Sequence, residues 1–233
     1  MRTVAIMQPY FLPYIGYFQL ISAADVFVVY DNIKYTKKGW INRNRMLLNG
    51  CDVTFTLPLR KDSDSLDVVL RELAADFERD KLLNRFREAY RHAPYFSQTF
   101  PLLERIMNFK ERNLFDYILN SIIEMCAHLC IRCEIRASSA IAIDHQVKAQ
   151  DKVLALCKAL SADRYVNAIG GMEMYSKEEF STVGIALNFI KSHACEYKQF
   201  GKEFVPGLSI VDVLMFNPPS RVREWVSTNY ELV

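Results

Sequence analysis

Residues 3–31 read TVAIMQPYFLPYIGYFQLISAADVFVVYD. The segment from Thr3 to Met7 is apolar and rich in β-branched side chains, which is typical of a buried strand. Residues 16–24 then carry apolar side chains at helical spacing, and residues 25–30 form a second apolar run. Strand, loop, helix and strand in this order are typical of a parallel sheet. The segment therefore predicts an α/β fold.

The remainder of the chain continues this alternation of strands and helices. We predict further strands at residues 51–59, 67–70, 133–137, 164–167 and 186–190, and further helices at residues 76–92, 96–110, 112–131, 147–160, 177–183, 209–216 and 218–229. Gly170 and Gly171 mark a loop. The predicted fold is one α/β domain over residues 1–233, with a mostly parallel sheet flanked by helices and an inserted helical subdomain at about 76–131.

Composition excludes several classes of protein. The 233 residues are 51% hydrophobic, which is enough for a substantial core and excludes general disorder. The formal net charge of +2 argues against a dedicated nucleic-acid binder. No apolar run reaches the roughly 20 residues of a membrane span, and Gln8-Pro9 interrupts the N-terminal run before a signal peptide is complete. We therefore expect a soluble, cytoplasmic protein.

Three of the six cysteines have the spacing of an iron–sulfur motif. Cys126, Cys130 and Cys133 are separated by three and then two residues, as in enzymes that hold a four-iron cluster. Here they fall at the end of an apolar helix and the start of a strand, whereas cluster ligands of that kind lie in an open loop. We therefore expect them to pack as reduced thiols.

The loop after the first strand is rich in tyrosine and proline. Its two prolines stiffen the chain, and its tyrosines combine flat apolar faces with hydroxyl groups, which suits a sugar or a nucleobase. These rings could instead cap the core, but the ends of parallel strands are where ligands bind. The candidate binding residues of this loop are Gln8, Tyr10, Tyr14 and Tyr17.

The loop after the second strand, residues 31–44, is densely polar. Asp31 stands at a strand end, where a carboxylate can accept a proton from a substrate, and Arg43 can bind a phosphate or carboxylate through two hydrogen bonds. Lys37 and Lys38 favour a solvated turn. The other candidate binding residues of this loop are Lys34, Tyr35, Asn42 and Asn44.

A third candidate region follows the predicted strand at 164–167. Paired glycines after a strand allow a ligand to approach the backbone closely. His145, next to Asp144, is a further candidate base. The chain carries no nucleophile elbow, Walker loop or zinc-protease motif, so serine hydrolase and zinc protease activities are not supported. The candidate binding residues here are Asn167, Gly170, Gly171 and Tyr175.

Together these residues resemble the WbqC-like family. The resemblance is carried by Gln8-Pro9-Tyr10-x-x-Pro13-x-x-Gly16-Tyr17-Phe18, Ala24-Asp25-Val26-Phe27-Val28, Trp40-x-Asn42-Arg43-Asn44, Tyr165-x-Asn167-x-x-Gly170-Gly171-x-x-x-Tyr175, Tyr197-x-Gln199-x-x-x-x-Phe204 and Leu208-Ser209-Ile210-x-Asp212-x-Leu214-x-Phe216-Asn217. It implies a bacterial cytoplasmic protein of surface-polysaccharide (O-antigen) biosynthesis. The implied reaction is transfer of an aminoacyl group, such as glycyl, or of another acyl group to the amino group of a nucleotide-linked 4-amino-4,6-dideoxy sugar.

This resemblance leads to a hypothesis about roles. Asp31 or His145 would accept the proton of the sugar amine, while Arg43, Lys34 and the glycine loop would hold the nucleotide diphosphate. The aromatic loop would hold the sugar or base. The donor, which an acyl or aminoacyl carrier protein could deliver, would be a cosubstrate, and we expect no tightly bound cofactor; no metal-binding residues are assigned, and the use of a metal is left open. A non-catalytic protein that binds a nucleotide sugar or an acyl carrier is the alternative.

A second, partial resemblance is to the nucleotidylyltransferase superfamily, a HUP-like fold. The order of strand, proline-rich loop, helix and strand is similar, but that superfamily has two histidines around the loop glycine. Here tyrosines stand in their place near Gly16. Tyrosine lacks the imidazolium charge that stabilises a transferring phosphoryl group, which leaves nucleotidyl transfer as a third hypothesis.

Overall fold

The computed structural model describes residues 1–63 and 65–233. The strands are β1 (Thr3–Met7), β2 (Val26–Val29), β3 (Arg43–Leu48), β4 (Cys51–Thr56), β5 (Glu134–Ala137), β6 (Arg164–Ala168), β7 (Ala186–Ser192) and β8 (Tyr230–Leu232). The α-helices are α1 (Ile15–Ser22), α2 (Arg79–Tyr90), α3 (Phe96–Met107), α4 (Leu114–His128), α5 (Ala149–Ala159), α6 (Lys177–Thr182), α7 (Ile210–Phe216) and α8 (Pro219–Thr228). Short 3-10 helices lie at Val68–Leu70, Ser138–Ala140 and Ile169–Met174.

Six of these strands form one sheet, in the order β5-β2-β1-β6-β7-β8. The first five are mutually parallel, and β8 pairs antiparallel with β7 at the edge. The chain moves outward from β1 in one direction through β2 and β5, and in the other through β6 and β7. The predicted α/β fold with a mostly parallel sheet flanked by helices is confirmed.

Both faces of the sheet are buried, which explains why β1 and β2 are continuous apolar runs. Because side chains alternate along a strand, Ala5 and Phe27 pack in one hydrophobic cluster with α1, α2, α3, α4, α7 and α8. Ile6 and Val28 pack on the other face with α5 and α6. The connections on either side of β1 therefore cover opposite faces. This is the arrangement of a doubly wound sheet.

A separate hairpin of β3 and β4 corrects the loop predicted for residues 31–44. Strand β3 begins at Arg43 and pairs antiparallel with β4, from Arg43 opposite Thr56 to Leu48 opposite Cys51. Asn49 and Gly50 connect the strands, and both have positive φ values, 51° and 78°. An Asn-Gly pair between two strands is a strong hairpin signal, so this hairpin could have been predicted from the sequence.

Two other local predictions were wrong or incomplete. The strand predicted at 67–70 is a 3-10 helix over Val68–Leu70: Asp67 makes an isolated bridge to Lys34, and two further amides bond to residues 31–33, but this neighbouring segment is not a regular strand. The segment predicted as a glycine loop at 170–171 lies within the 3-10 helix Ile169–Met174. Strand β8, a short edge strand that follows α8, was not among the predicted strands.

The predicted run of three helices between residues 76 and 131 corresponds to α2, α3 and α4. These helices share a hydrophobic cluster with α1 and the sheet. Cys126 is buried on α4, and burial raises the pKa of its thiol to about 12. Cys130 is exposed, and its Sγ lies 3.3 Å from a guanidinium nitrogen of Arg223. Across residues 1–63 and 65–233, no helix is long and apolar enough to cross a membrane.

Candidate functional site

The strand order reverses between β1 and β6, and two cavities lie where these strands end. In open α/β sheets, ligands bind at the carboxyl ends of the strands at such a reversal. Met7, Tyr10 and Ala168 line both cavities, so the cavities adjoin at the ends of β1 and β6. We call them the α1-side lobe, lined also by Tyr14, Gly16, Trp40, Arg45 and Ser192, and the α5-side lobe, lined also by Gln8, Tyr30, Lys152, Asn167, Gly170, Gly171 and Tyr175.

The α1-side lobe has a volume of about 600 Å³ and lies at the start of α1. A Cβ atom on Gly16 would lie 3.0 Å from Ser192 Oγ, so glycine lets α1 begin close against the end of β7. The Ser192 hydroxyl donates to Gln19 Oε1 at 2.5 Å, which ties the strand end to the helix. The start of α1 and the end of β7 are therefore held together where they line this lobe.

An exposed indole and the guanidinium group of Arg45 line one wall of the α1-side lobe, and a second guanidinium group packs on the same indole. Trp40 is 42% exposed, and the guanidinium carbons of Arg43 and Arg45 each lie 5.7 Å from its ring centroid. Arg45 is held by Asp52 Oδ2 at 3.0 Å and by the Gly207 carbonyl oxygen at 2.9 Å. An ordered aromatic face beside cationic groups suits a nucleobase or sugar that carries phosphate.

The α5-side lobe has a volume of about 810 Å³ and is bounded by the 3-10 helix after β6. A Cβ atom on Gly170 would meet no atom within 4 Å, whereas one on Gly171 would lie 3.0 Å from Asn167 Nδ2. Asn167 Oδ1 accepts the Ala168 amide N–H at 2.7 Å, which fixes the turn at the end of β6. Gly170 thus offers open backbone to a ligand, while a side chain at Gly171 would press tightly against Asn167.

Lys152 brings a buried ammonium group to the α5-side lobe. The residue is 8% exposed and lies on α5, on the same stripe as the buried Val153, Leu156 and Cys157. Its Nζ donates to Asn32 Oδ1 at 2.9 Å and to the Asn32 carbonyl oxygen at 3.3 Å. Burial lowers the pKa of Lys152, and the more distant carboxylates of Asp67 and Asp31 oppose that shift.

Asp31 follows β2 and is 1% exposed. Its Oδ1 accepts from the Ser139 amide at 2.9 Å and lies 2.7 Å from the Ser138 hydroxyl, while Oδ2 accepts from the Ser139 hydroxyl. Burial by itself raises the pKa of Asp31, but these hydrogen bonds outweigh it, so the pKa is lowered. The carboxylate therefore stays ionised, and it ties the end of β2 to the end of β5.

Asn32 connects His145 to Lys152 and Ser138. Because the lysine can only donate, Asn32 Oδ1 faces Lys152, and Asn32 Nδ2 donates to His145 Nδ1 at 3.0 Å. These partners assign the neutral tautomer of His145 that carries hydrogen on Nε2, and Nε2 donates to the Ile141 carbonyl oxygen at 3.0 Å. Both ring nitrogens are therefore engaged within the protein.

The structure brings many, but not all, of the predicted site residues to the two lobes. Those that line a lobe are Gln8, Tyr10, Tyr14, Tyr17, Asn44, Asn167, Gly170, Gly171 and Tyr175. Of the part of the chain that the structure describes, the predicted residues that line neither lobe are Asp31, Lys34, Tyr35, Asn42, Arg43 and His145. The functional roles of both groups stay predictions.

Several predicted binding residues make hydrogen bonds that hold the surrounding loops. The Tyr35 hydroxyl donates to Asn42 Oδ1 at 2.8 Å, and Asn42 Nδ2 donates to the Leu57 carbonyl oxygen at 2.7 Å. Asn44 Nδ2 donates to the Leu12 carbonyl oxygen at 3.0 Å. Arg43 Nε donates to the Gly39 carbonyl oxygen at 2.9 Å. These contacts position the wall that carries Trp40.

The aromatic loop divides between core and cavity. Tyr17 is buried, and its hydroxyl donates to the Gln8 carbonyl oxygen at 2.9 Å, which fixes the chain after β1. Tyr10 is half-buried, with its ring centroid 5.7 Å from that of Tyr17 and its hydroxyl 3.2 Å from Gln8 Oε1. Tyr14 is 36% exposed at the opening of the α1-side lobe. Tyr10 and Tyr14 are thus the tyrosines of this loop that face space for a ligand.

Comparison with known proteins identifies the family. The model of the WbqC-like protein family matches residues 8–224. The chain belongs to this family. A Mycobacterium tuberculosis protein described as uncharacterized is 26% identical over 230 residues, which cover 97% of this chain and 98% of the relative. No solved structure gives a significant match. The resemblance to the WbqC-like family seen in the sequence is confirmed.

Lys152 was not among the predicted site residues. Lys152 occupies a position on the apolar stripe of a predicted helix, and a charged residue on such a stripe is a recognisable signal. Ser138 and Ser139 gave no such signal, because their role depends on contact with Asp31, more than 100 residues away in the chain.

Proposed function

We propose that this protein is a transferase of bacterial surface-polysaccharide biosynthesis. It moves an aminoacyl group, such as glycyl, or another acyl group to the amino group of a nucleotide-linked amino-deoxy sugar. One observation carries the proposal: two lobes, one lined by Trp40 and Arg45 and the other by Lys152, adjoin at Met7, Tyr10 and Ala168. Two adjoining lobes fit a reaction in which two substrates must meet, since holding both reactants together lowers the barrier.

In this proposal, the α1-side lobe holds the nucleotide sugar. Trp40 provides a stacking surface, and Arg45 provides positive charge next to the start of α1. The amine reaches the shared residues, where it attacks the carbonyl carbon of a donor held in the α5-side lobe. A carbon–nitrogen bond forms, the bond to the donor's leaving group breaks, and the departing group takes up the proton that the amine loses. The donor is a cosubstrate, and a carrier protein could deliver it.

Asp31, Arg43 and His145 have positioning roles in this proposal. The oxygens of Asp31 and both ring nitrogens of His145 already have protein partners, and Arg43 bonds to its own loop. Such engaged groups hold other residues in place more readily than they exchange protons with a ligand. Their substitution would therefore act on the shape of the lobes.

A turnover assay tests the proposal. The purified protein is incubated with a nucleotide-linked 4-amino-4,6-dideoxy sugar and a panel of acyl and aminoacyl donors, and product is followed by mass spectrometry. We expect the sugar nucleotide to gain the mass of one acyl group. Gly170→Leu, which adds bulk to the α5-side lobe alone, should lower turnover more than tenfold while the nucleotide sugar still binds. Gly201→Leu, at an exposed position outside both lobes, is the matched control.

Two results would contradict the proposal. Binding of the nucleotide sugar without transfer from any donor would favour the non-catalytic accessory protein. Release of pyrophosphate from a nucleoside triphosphate would favour nucleotidyl transfer instead.

A further inference from the structure

The ammonium group of Lys152 is held by neutral atoms. Two of its three N–H groups are accounted for by the Asn32 side-chain and backbone oxygens, at 2.9 and 3.3 Å. The ring of Tyr30 lies 5.4 Å from Nζ, measured to the ring centroid. Within the described ranges 1–63 and 65–233, no carboxylate forms an ion pair with Lys152. This buried cation therefore lacks an anionic partner in direct contact.

The carboxylates that influence Lys152 are otherwise engaged. Asp31 directs both of its oxygens to Ser138 and Ser139. Asp67 lies at the backbone bridge to Lys34 and acts on Lys152 only through its charge. His145 faces the same Asn32 but is neutral in the tautomer that its partners assign. Burying a cation without a contacting anion opposes folding, so folding stability does not explain the presence of a lysine at position 152.

The position of Lys152 supplies that explanation. The residue lines the α5-side lobe together with Gly170, where the space beside the backbone is open. Asn32 is itself held by its side-chain hydrogen bond to His145 Nδ1 at 3.0 Å. The network thus presents an incompletely paired ammonium group at the wall of a cavity, in a fixed place.

We infer that the α5-side lobe binds an anionic oxygen group, a phosphate or a carboxylate, and that Lys152 Nζ is its cationic partner. A charge-assisted hydrogen bond to this group would use the third N–H of the ammonium and neutralise the buried charge. The low-dielectric surroundings that make the unpaired cation costly would also strengthen its attraction to the anion. This binding does not depend on the transfer reaction.

A purely structural role for Lys152 makes a different prediction. If the residue served only to hold Asn32, its replacement by methionine would destabilise the protein. If Lys152 instead serves to bind a ligand, Lys152→Met removes a buried charge that has no contacting anion. It replaces that charge with an apolar side chain of similar length. The unliganded variant should then be at least as stable as the wild type.

The experiment measures thermal unfolding with added anions. Inorganic phosphate, pyrophosphate, acetate and succinate are titrated against sodium chloride at equal ionic strength. At 100 times its dissociation constant, a bound anion should raise the wild-type Tm by about 5–11 °C. Lys152→Met and Lys152→Gln should weaken that binding at least tenfold. Lys158→Met, at an exposed position of the same helix, is the matched control and should leave it unchanged.

The anion series also distinguishes the two sources of the charge. A response to phosphate or pyrophosphate alone assigns a phosphate, and a response to acetate or succinate alone assigns a carboxylate. The inference is overturned if no anion stabilises the wild type more than sodium chloride does, or if Lys152→Met keeps the wild-type affinity.

A second variant keeps the inference testable if both neutral variants fail to fold. Gly170→Leu adds bulk to the lobe without altering the ammonium, and it must weaken anion binding at least tenfold; unchanged affinity would overturn the inference. Lys152→Arg, which keeps the charge, should retain part of the binding. Anion binding without any acyl transfer would contradict only the proposed function, and transfer without anion binding would contradict only the role of Lys152.

Discussion

Asp31 illustrates how a residue that sequence suggests as a base can instead hold strands together. Its carboxylate lies at the end of β2 and accepts hydrogen bonds from Ser138 and Ser139, which follow β5. Charged acceptors form stronger hydrogen bonds than neutral ones, and a buried donor that loses its acceptor costs free energy. The residue is therefore an anchor between the ends of two neighbouring strands.

Replacing Asp31 by asparagine should lower the free energy of unfolding by about 1.5–3 kcal/mol at pH 7, because three donors lose a charged acceptor. The lowered pKa of Asp31 means that its contribution is complete above pH ~4, the ordinary value, and is lost as the pH falls through the lower native value. Urea denaturation from pH 7 to pH 2.5 should show the difference between Asp31→Asn and wild type shrinking at the acidic end.

Asp151→Asn, at an exposed position of α5, is the control for this prediction and should change stability by less than about 0.5 kcal/mol. Equal stability of Asp31→Asn and wild type at pH 7 would mean that the anchor is unimportant.

At the scale of elements, a buried carboxylate connects the hairpin, α2 and α7. Asp212 on α7 is fully buried and accepts from the hydroxyls of Tyr90 and Tyr197, at 2.9 and 2.6 Å, and from Gln199 Nε2 at 2.8 Å. Tyr90 on α2 in turn accepts the amide N–H of Leu47 on β3 at 2.9 Å. One hydroxyl thus joins three elements that are distant in the chain.

Tyr90→Phe should lower the free energy of unfolding by about 1–3 kcal/mol. It removes a hydrogen bond to a charged group and leaves the Leu47 amide without its partner in a buried place. Urea denaturation at pH 7 measures the change. Tyr95→Phe, a half-buried ring just before α3, is the matched control. A urea midpoint for Tyr90→Phe equal to that of the control would show that this hydroxyl does not stabilise the fold.

At the scale of the whole molecule, the doubly covered sheet places the candidate site. Phe27 on β2 is fully buried, and its ring packs edge-on against Tyr17 with centroids 5.3 Å apart. Tyr17 in turn fixes the loop after β1 through the Gln8 carbonyl oxygen. The side chains that fill one face of the sheet therefore also hold the loop after β1, which borders the cavity.

Phe27→Ala should lower the free energy of unfolding by about 3–5 kcal/mol, because it leaves a large cavity between the sheet and α1. Phe200→Ala, at a ring that is 50% exposed and packs edge-on against Phe216, should cost less, about 0.5–1.5 kcal/mol. Guanidinium denaturation compares the two variants. If both lose stability equally, the sheet face toward α1 is not the main core of the molecule.

Much of this architecture could be predicted because strands and helices have local periods. The apolar runs of β1 and β2 and the helical spacing of α2 to α5 follow from side-chain periodicity, and the loops of a parallel sheet follow from the direction of its strands. Predictions failed where pairing decides the outcome. Residues 67–70 have strand-like side chains, but the segment beside them, residues 31–35, pairs through an isolated bridge and is not a regular strand, and the chain turns into a 3-10 helix at Val68–Leu70.

The sequence by itself determined the α/β class and the family, and it predicted a ligand site at the carboxyl ends of the strands, because these depend on short patterns of side chains. Only the tertiary structure decided which polar groups meet there. It engaged Asp31 with serines from the far side of the chain, and it placed Lys152 at the wall of the α5-side lobe without a contacting carboxylate. The physical reason is that a local period defines which face of an element is buried, while strand order alone defines which elements are neighbours.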